Sequence, residues 1–210
     1  MDREESWRAI AAARLDLADL LDGLDGAEWD KPSLCAGWRV RDVAAHVAMT
    51  PLVPGVRAML ADAVRAGGRF HKLNHDVAVR HAETRGHLAL VGELREHAYD
   101  RRLPVVTSYR NIVLDVLVHG QDIAIPLGRE LPVPADVAVA AASRAWTMGW
   151  PFWARRRLRG LRLVAADADW TAGAGEELRG PIDALVLLLT GRAATAAPRL
   201  TGPGRRHLNA

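Results

Sequence analysis

Cysteine, lysine and long uncharged runs are scarce in this sequence, and each scarcity excludes a class of protein. Cys35 is the only cysteine, so no internal disulfide framework can form. The longest stretch without Asp, Glu, Lys or Arg is residues 43–56, which is shorter than the roughly 20 apolar residues that span a bilayer. Only Lys31 and Lys72 accompany the many arginines, which indicates a GC-rich genome and not a nucleic-acid-binding protein. The N-terminus is too acidic for a signal peptide, and these features together favour a cytoplasmic protein without membrane or nucleic-acid partners.

The composition is that of a globular protein, with an uneven distribution of charge along the chain. Half of the 210 residues are hydrophobic and a quarter are charged, which supplies enough apolar material for a buried core. Residues 1–130 carry 17 basic and 19 acidic side chains, whereas residues 131–210 carry 11 basic and 6 acidic ones, a net charge of +5. The residue pattern also changes near residue 130, so we predict two domains, 1–130 and 131–210. The sequence does not define an oligomeric state.

Apolar residues at spacings of three and four predict helices through the first domain. The predicted helices cover residues 3–22, 58–66, 76–101 and 108–124, and a further helix begins near residue 39. A polar connection is predicted over residues 67–75. For the second domain the pattern predicts a helix at 134–148, a strand at 157–165, a short strand and turn at 170–175, a helix at 182–189 and mostly turns from 198. The predicted fold class is mainly α, an up-and-down four-helix bundle followed by a small α+β domain.

Two histidines and one aspartate interrupt apolar helix faces, where a polar side chain is costly unless it is paired or bound to a metal. Asp115 and His119 are four residues apart and project from one face of a predicted helix, and His46 lies on another. Such a set supplies three protein ligands and leaves a fourth position open, as in catalytic zinc sites. The alternative is an Asp–His hydrogen bond that fills a polar pocket. Asp122 is a candidate to orient a ligand, and Cys35 is interpreted as a packed loop residue.

Three motifs resemble those of a known family. Residues 29–46 resemble the opening motif of the mycothiol-dependent maleylpyruvate isomerase family, whose members contain a DinB-like metal-binding four-helix bundle. Residues 115–124 look like its second metal motif, and residues 180–192 look like the motif of its C-terminal domain. The three matches occur in the expected order and span most of the chain.

The resemblance implies a set of site residues and cofactors. It assigns a divalent metal, zinc before others, to His46, Asp115 and His119, and it implies mycothiol as the thiol and an actinobacterial source. Arg192 matches an arginine that the family places near the active site for a substrate carboxylate; the alternative is an arginine that binds the last carbonyls of a helix. Relatives often have Glu in place of Asp115 and an aromatic residue in place of Gln121.

The predicted function is a metal- and thiol-dependent enzyme that acts on a small electrophilic substrate. The thiol would add to an electrophilic carbon, and the reaction would be either an isomerisation, as with maleylpyruvate, or an S-transfer. Two alternatives remain open at this point. One is a non-catalytic metal- or ligand-binding protein, and the other is a metal-dependent hydrolase that uses bound hydroxide and needs no thiol.

Overall fold

The structure is a computed structural model that describes residues 1–52, 70–103 and 107–208. The helix predicted at 58–66 lies outside the described residues. By its internal contacts the chain divides into two compact units. One is Trp7–Leu131, and the other combines Met1–Ser6 with Pro132–Ala210. The predicted division into domains 1–130 and 131–210 stays a prediction.

Five described helices lie in the unit Trp7–Leu131, apart from the first residues of α1. They are α1 (Arg3–Asp22), α2 (Val40–Met49), α3 (Phe70–Thr84), α4 (His87–Glu96) and α5 (Tyr109–Ala124). A short 3-10 helix, Glu28–Asp30, precedes α2, and a second one, Ile125–Leu127, follows α5. Helix α2 packs against α3, α4 and α5, so it lies at the centre of this unit.

The predicted core stripe of α1 is buried. Ile10, Leu17 and Leu21 are each at most 1% exposed, at spacings of seven and four that place them on one helix face. Arg14 occupies the same face between Ile10 and Leu17 and is equally buried. The middle of this apolar stripe therefore contains a charged residue.

The prediction of a single long helix at residues 76–101 is wrong. Two helices, α3 and α4, occupy this part of the chain, and α3 begins at Phe70, inside the predicted polar connection. The break falls at Gly86, whose backbone is extended (φ −75°, ψ 163°) as the N-cap of α4. Glycine costs about 1 kcal/mol more than alanine inside a helix, which favours a break at this residue. A hydrogen bond of 2.6 Å between His81 and Glu93 connects the two helices across the break.

The C-terminal unit contains four described helices and one sheet. Its elements are α6 (Ala135–Thr147), α7 (Ala154–Arg157), β1 (Gly160–Ala165), β2 (Thr171–Gly173), β3 (Gly175–Gly180), α8 (Ile182–Leu189) and α9 (Ala193–Ala196), followed by short 3-10 helices at Ala197–Arg199 and Pro203–Leu208. The strand order is β2–β1–β3, with β1 antiparallel to β2 and parallel to β3. Helix α8 packs against α6 and β1 and is buried along most of its length.

The sheet differs from the prediction in two respects. Strand β1 begins at Gly160 and not at 157, because residues 154–157 form α7. Strand β3 was not predicted, since Leu178 is its only large apolar residue and no alternation is visible. Gly175, at φ 126°, allows β3 to start beside β1, because a Cβ there would lie 2.0 Å from the carbonyl oxygen of Gly160.

The predicted fold class is confirmed: a mainly helical chain ends in a small unit that combines helices with a three-stranded sheet. Among the helices in the described ranges, none is both long and apolar enough to cross a lipid bilayer.

Candidate metal centre

Helix α2 presents His46, and hydrogen bonds from Arg39 to Asp42 cap its first turn. The backbone N–H of Arg39 donates to Asp42 Oδ2 at 2.8 Å, and the Arg39 guanidinium donates to both oxygens of the same carboxylate at 3.0 and 2.9 Å. Arg39 also donates to Glu83 of α3 at 2.6 Å. These bonds raise the pKa of Arg39 above its ordinary value. Asp42 therefore caps α2, and the register of His46 depends on this cap.

The three predicted ligands meet between α2 and α5. Asp115 Oδ1 lies 3.4 Å from His46 Nε2 and 3.5 Å from His119 Nε2, and one ligand atom from each residue falls within 4.8 Å of the others. Tetrahedral ligands at zinc distances of about 2.0–2.1 Å are separated by about 3.4 Å. The two N···O distances match that separation and the two histidine nitrogens lie within 4.8 Å of each other, so the donor set is compatible with a tetrahedral ion. The 3.4 Å contact also agrees with the alternative, an Asp–His hydrogen bond.

The three side chains are partly exposed. His46, Asp115 and His119 keep 22%, 30% and 19% of their side-chain surfaces exposed. The ring of Trp38 stands edge-on to His46, with 5.8 Å between ring centroids, and supplies an apolar neighbour. A small molecule can therefore reach an ion at this position, which a fully buried structural site would not allow.

Asp115 and the two histidines stabilise the charged forms of one another and so shift the pKa values of Asp115 and His46. Burial alone would raise the pKa of Asp115, but the neighbouring charges of His46 and His119 and the hydrogen bond to His46 lower it to about 2. Burial alone would lower the pKa of His46, yet the charge and hydrogen bond of Asp115 raise it. Asp115 is thus anionic at neutral pH, which is the form that binds a cation.

A second group of possible ligands shares His119. Cys35 Sγ and His119 Nδ1 lie 3.0 and 2.9 Å from Asp122 Oδ2, and the sulfur lies 3.7 Å from the same ring nitrogen. Distances near 3.0 Å are those of hydrogen bonds, and they are shorter than the separation of ligands around a zinc ion. We therefore place the candidate ion at His46, Asp115 and His119, with Cys35 and Asp122 behind it.

The surroundings of Cys35 were missed in the sequence. It was interpreted as a packed loop residue, but its thiol contacts the two polar side chains named above. Asp122 was a candidate to orient a ligand, and its hydrogen bond to His119 agrees with that prediction. Because Cys35 and Asp122 are 87 residues apart, no local spacing could have shown their contact.

Gln121, where relatives often carry an aromatic residue, has a structural partner. Its side-chain amide donates to the carbonyl oxygen of Leu131 at 2.7 Å. The adjacent Gly120 permits this approach, since a Cβ there would lie 2.7 Å from the Leu131 side chain. Both residues thus anchor the segment that follows α5.

Arg192 lies in the C-terminal unit, at the start of α9. Its Nη1 donates to the carbonyl oxygen of Thr190, the residue that ends α8, at 2.6 Å. This bond agrees with the alternative in which the arginine binds the last carbonyls of a helix. Its role toward a substrate carboxylate stays a prediction.

Comparison with known proteins identifies the N-terminal part of the chain. The sequence profile described as "Mycothiol maleylpyruvate isomerase N-terminal domain" matches residues 10–104. Residues 10–104 therefore resemble this domain. The resemblance based on the sequence motifs is thereby confirmed, although the matched range contains His46 and ends before Asp115 and His119.

Solved structures extend the likeness to nearly the whole chain. The crystal structure of the mycothiol-dependent maleylpyruvate isomerase matches with a TM-score of 0.64 at 16% identity, covering 97% of this chain and 93% of that one. A histidine-to-alanine mutant of that enzyme matches with the same values. At this identity the match demonstrates a shared fold. No curated protein sequence matches the chain significantly.

Proposed function

We propose that this chain is a metal- and thiol-dependent enzyme that uses mycothiol to act on a small electrophilic substrate. The spacing of His46, Asp115 and His119 carries this proposal, because it matches a three-ligand site with an open fourth position. The family that residues 10–104 resemble supports mycothiol as the thiol. Zinc is the metal that the family resemblance implies, and two imidazoles with one carboxylate are a donor set that binds it.

The donor set favours an anionic fourth ligand, and both a thiolate and a hydroxide are anions. His46 and His119 are neutral donors when they bind a cation, and Asp115 supplies one negative charge. A divalent ion therefore keeps a net charge near +1, which favours an anionic ligand. A divalent ion bound here supplies Lewis acidity and lowers the pKa of a coordinated thiol. The Trp38 ring stands edge-on to His46 and places an apolar surface beside the three protein ligands.

The chemistry that follows is an addition to a conjugated double bond. The thiolate sulfur forms a bond to the electrophilic carbon, and the π electrons move to the adjacent carbonyl oxygen as an enolate. Rotation about the new single bond and elimination of the thiolate then give the isomer and restore the thiol. In an S-transfer the carbon–sulfur bond persists, and the enolate is protonated instead.

A rate measurement with and without mycothiol tests the proposal. Zinc-loaded protein is incubated with a conjugated oxo acid such as maleylpyruvate, and substrate and free thiol are followed together. We expect turnover only with added mycothiol. A constant thiol concentration identifies an isomerase, and equimolar loss of thiol identifies an S-transferase. Equal rates without thiol would reject the proposal in favour of a hydrolase, and binding without turnover would favour a binding protein.

Replacing Arg192 by alanine should lower kcat/KM more for acidic substrates than for neutral ones. The loss of one charged hydrogen bond to a carboxylate costs about 1.5–3 kcal/mol, which corresponds to roughly 10- to 150-fold in kcat/KM. The positive charge of residues 131–210 supports this role. Paired acidic and neutral electrophiles measure the effect. Arg159→Ala removes the same charge from an exposed position in the same unit and serves as control. An equal loss for both substrates would instead assign Arg192 to the helix end.

A further inference from the structure

A buried carboxylate connects the loop before α2 to the candidate metal centre. Asp122 is 0% exposed; its Oδ2 accepts a hydrogen bond from Cys35 Sγ at 3.0 Å and lies 2.9 Å from His119 Nδ1. The backbone N–H of Leu34 donates to the carbonyl oxygen of Asp122 at 3.0 Å. The loop thus contacts both the main chain and the side chain of this residue. Two partners at one buried carboxyl oxygen form a specific arrangement, since an unpaired buried polar group would be costly.

The bond from His119 to Asp122 determines which tautomer the ring adopts. An ionised carboxylate only accepts hydrogen bonds, so beside ionised Asp122 the proton lies on Nδ1. In the neutral ring Nε2 then has a free lone pair, and Nε2 is the atom that lies 3.5 Å from Asp115 Oδ1. Asp122 therefore leaves the metal-facing nitrogen of His119 unprotonated, as a metal ligand requires.

Cys35 reaches the same oxygen as a second donor. Its sulfur is 3.0 Å from Asp122 Oδ2, and its backbone N–H is held by Ser33 Oγ at 3.1 Å. A thiol that donates to a carboxylate is protonated, whereas a metal ligand must be a thiolate. The contact therefore favours Cys35 as a hydrogen-bond donor that holds the Asp122 carboxylate in its orientation.

We propose that Asp122 is the positioning residue of His119 and that Cys35 supports Asp122 without binding the metal. This inference rests on the proposed metal site at His46, Asp115 and His119. Asp122 acts through His119 by fixing its tautomer and ring orientation. Cys35 acts one step further away, by donating to the carboxylate oxygen that His119 also uses.

Nitrogen NMR of the metal-free protein tests the tautomer directly. In mildly alkaline buffer, where imidazoles are neutral, we expect His119 of the wild type to carry its proton on Nδ1. Asp122→Asn introduces an amide donor in place of an oxygen and should shift His119 to the Nε2–H tautomer, as happens when the aspartate of a serine-protease triad is changed to asparagine. An unchanged tautomer in Asp122→Asn would overturn the inference.

Metal titration separates positioning from ligation. We expect Asp122→Asn to bind Zn²⁺ 10- to 100-fold more weakly, the usual effect of losing a partner of a metal-bound histidine. Cys35→Ser keeps a donor and should bind within about threefold of wild type, whereas Cys35→Val, which removes it, should bind more weakly than Cys35→Ser. Cobalt-loaded wild type should show no thiolate-to-metal charge-transfer band. Such a band, or a loss of metal in Cys35→Ser, would make Cys35 a ligand and reject the proposal.

The two measurements distinguish this inference from the proposed function. If the wild type binds no ion but His119 has the expected tautomer, the metal-dependent function fails while the link between Asp122 and His119 stands. If the wild type binds an ion and Asp122→Asn binds it equally well, only the positioning role fails. Should Asp122→Asn not fold, the Cys35→Val and Cys35→Ser pair still decides the role of the thiol.

Discussion

Replacing His46 by alanine is expected to remove the divalent ion from the purified protein. His46 supplies one of three donor atoms around the candidate site, and its Nε2 lies 3.4 Å from Asp115 Oδ1. Loss of a direct ligand should weaken binding by more than about 100-fold, the upper range for the loss of a partner behind a ligand. Elemental analysis after desalting and a zinc titration measure the effect, and the wild type should carry about one ion per chain.

A second histidine of the same unit provides the matched control. His87 stacks on Trp29, with 4.4 Å between ring centroids, and belongs to neither group of possible ligands. His87→Ala removes an imidazole of the same kind and should retain the ion. Full occupancy in His46→Ala, or equal losses in both variants, would show that the ion binds elsewhere.

The second large effect concerns stability and a buried arginine. Arg14→Ala should lower the free energy of unfolding by about 3 kcal/mol or more. Arg14 Nη1 donates to the carbonyl oxygens of His97, Ala98 and Asp100, each at 3.1 Å, in the segment just after α4. Hydrogen bonds from a charged group contribute about 1.5–3 kcal/mol, and truncation of a long buried side chain leaves a cavity.

The charge of Arg14 persists in spite of its burial. Burial lowers its pKa to about 10, with Asp100 and Asp115 acting in the opposite direction, so the guanidinium is cationic at neutral pH. Its Nε and Nη2 have no hydrogen-bond partner within the described part of the chain. The contribution to stability should therefore come from the Nη1 contacts and from packing.

Denaturant titration of the metal-free protein measures this prediction. Arg14→Lys keeps a cation that can reach the same carbonyls and should recover part of the loss. Arg8, on the same helix but exposed, provides the control through Arg8→Ala. If Arg14→Ala and Arg8→Ala differ by less than about 1 kcal/mol, the carbonyl contacts do not stabilise this unit.

Helix periodicity was sufficient to predict much of the fold and to predict that the candidate ligands lie close together. The spacing of Asp115 and His119 places both on one face of α5, and His46 on α2 faces them because the two helices pack together. Helices α1 and α8 also have the predicted bounds. Periodic patterns report local structure well because burial repeats with the turn of the helix.

The remaining features depend on contacts that local patterns do not encode. The split between α3 and α4 depends on one glycine within a continuous amphipathic pattern. Strand β3 forms because β1 offers a parallel neighbour, although its own residues are mostly polar. The contact between Cys35 and Asp122 joins a loop to a distant helix. Each of these required the folded arrangement of residues far apart in the chain.

The two nitrogens of His119 give the loop and the ion a thermodynamic linkage. One nitrogen faces the ligands of the candidate ion, and the other is held by the carboxylate that also holds Cys35. If that hydrogen bond raises the affinity for the ion by some factor, then the bound ion must stabilise the loop contact by the same factor. In that case the segment around Leu34 would report metal occupancy, although it contributes no ligand.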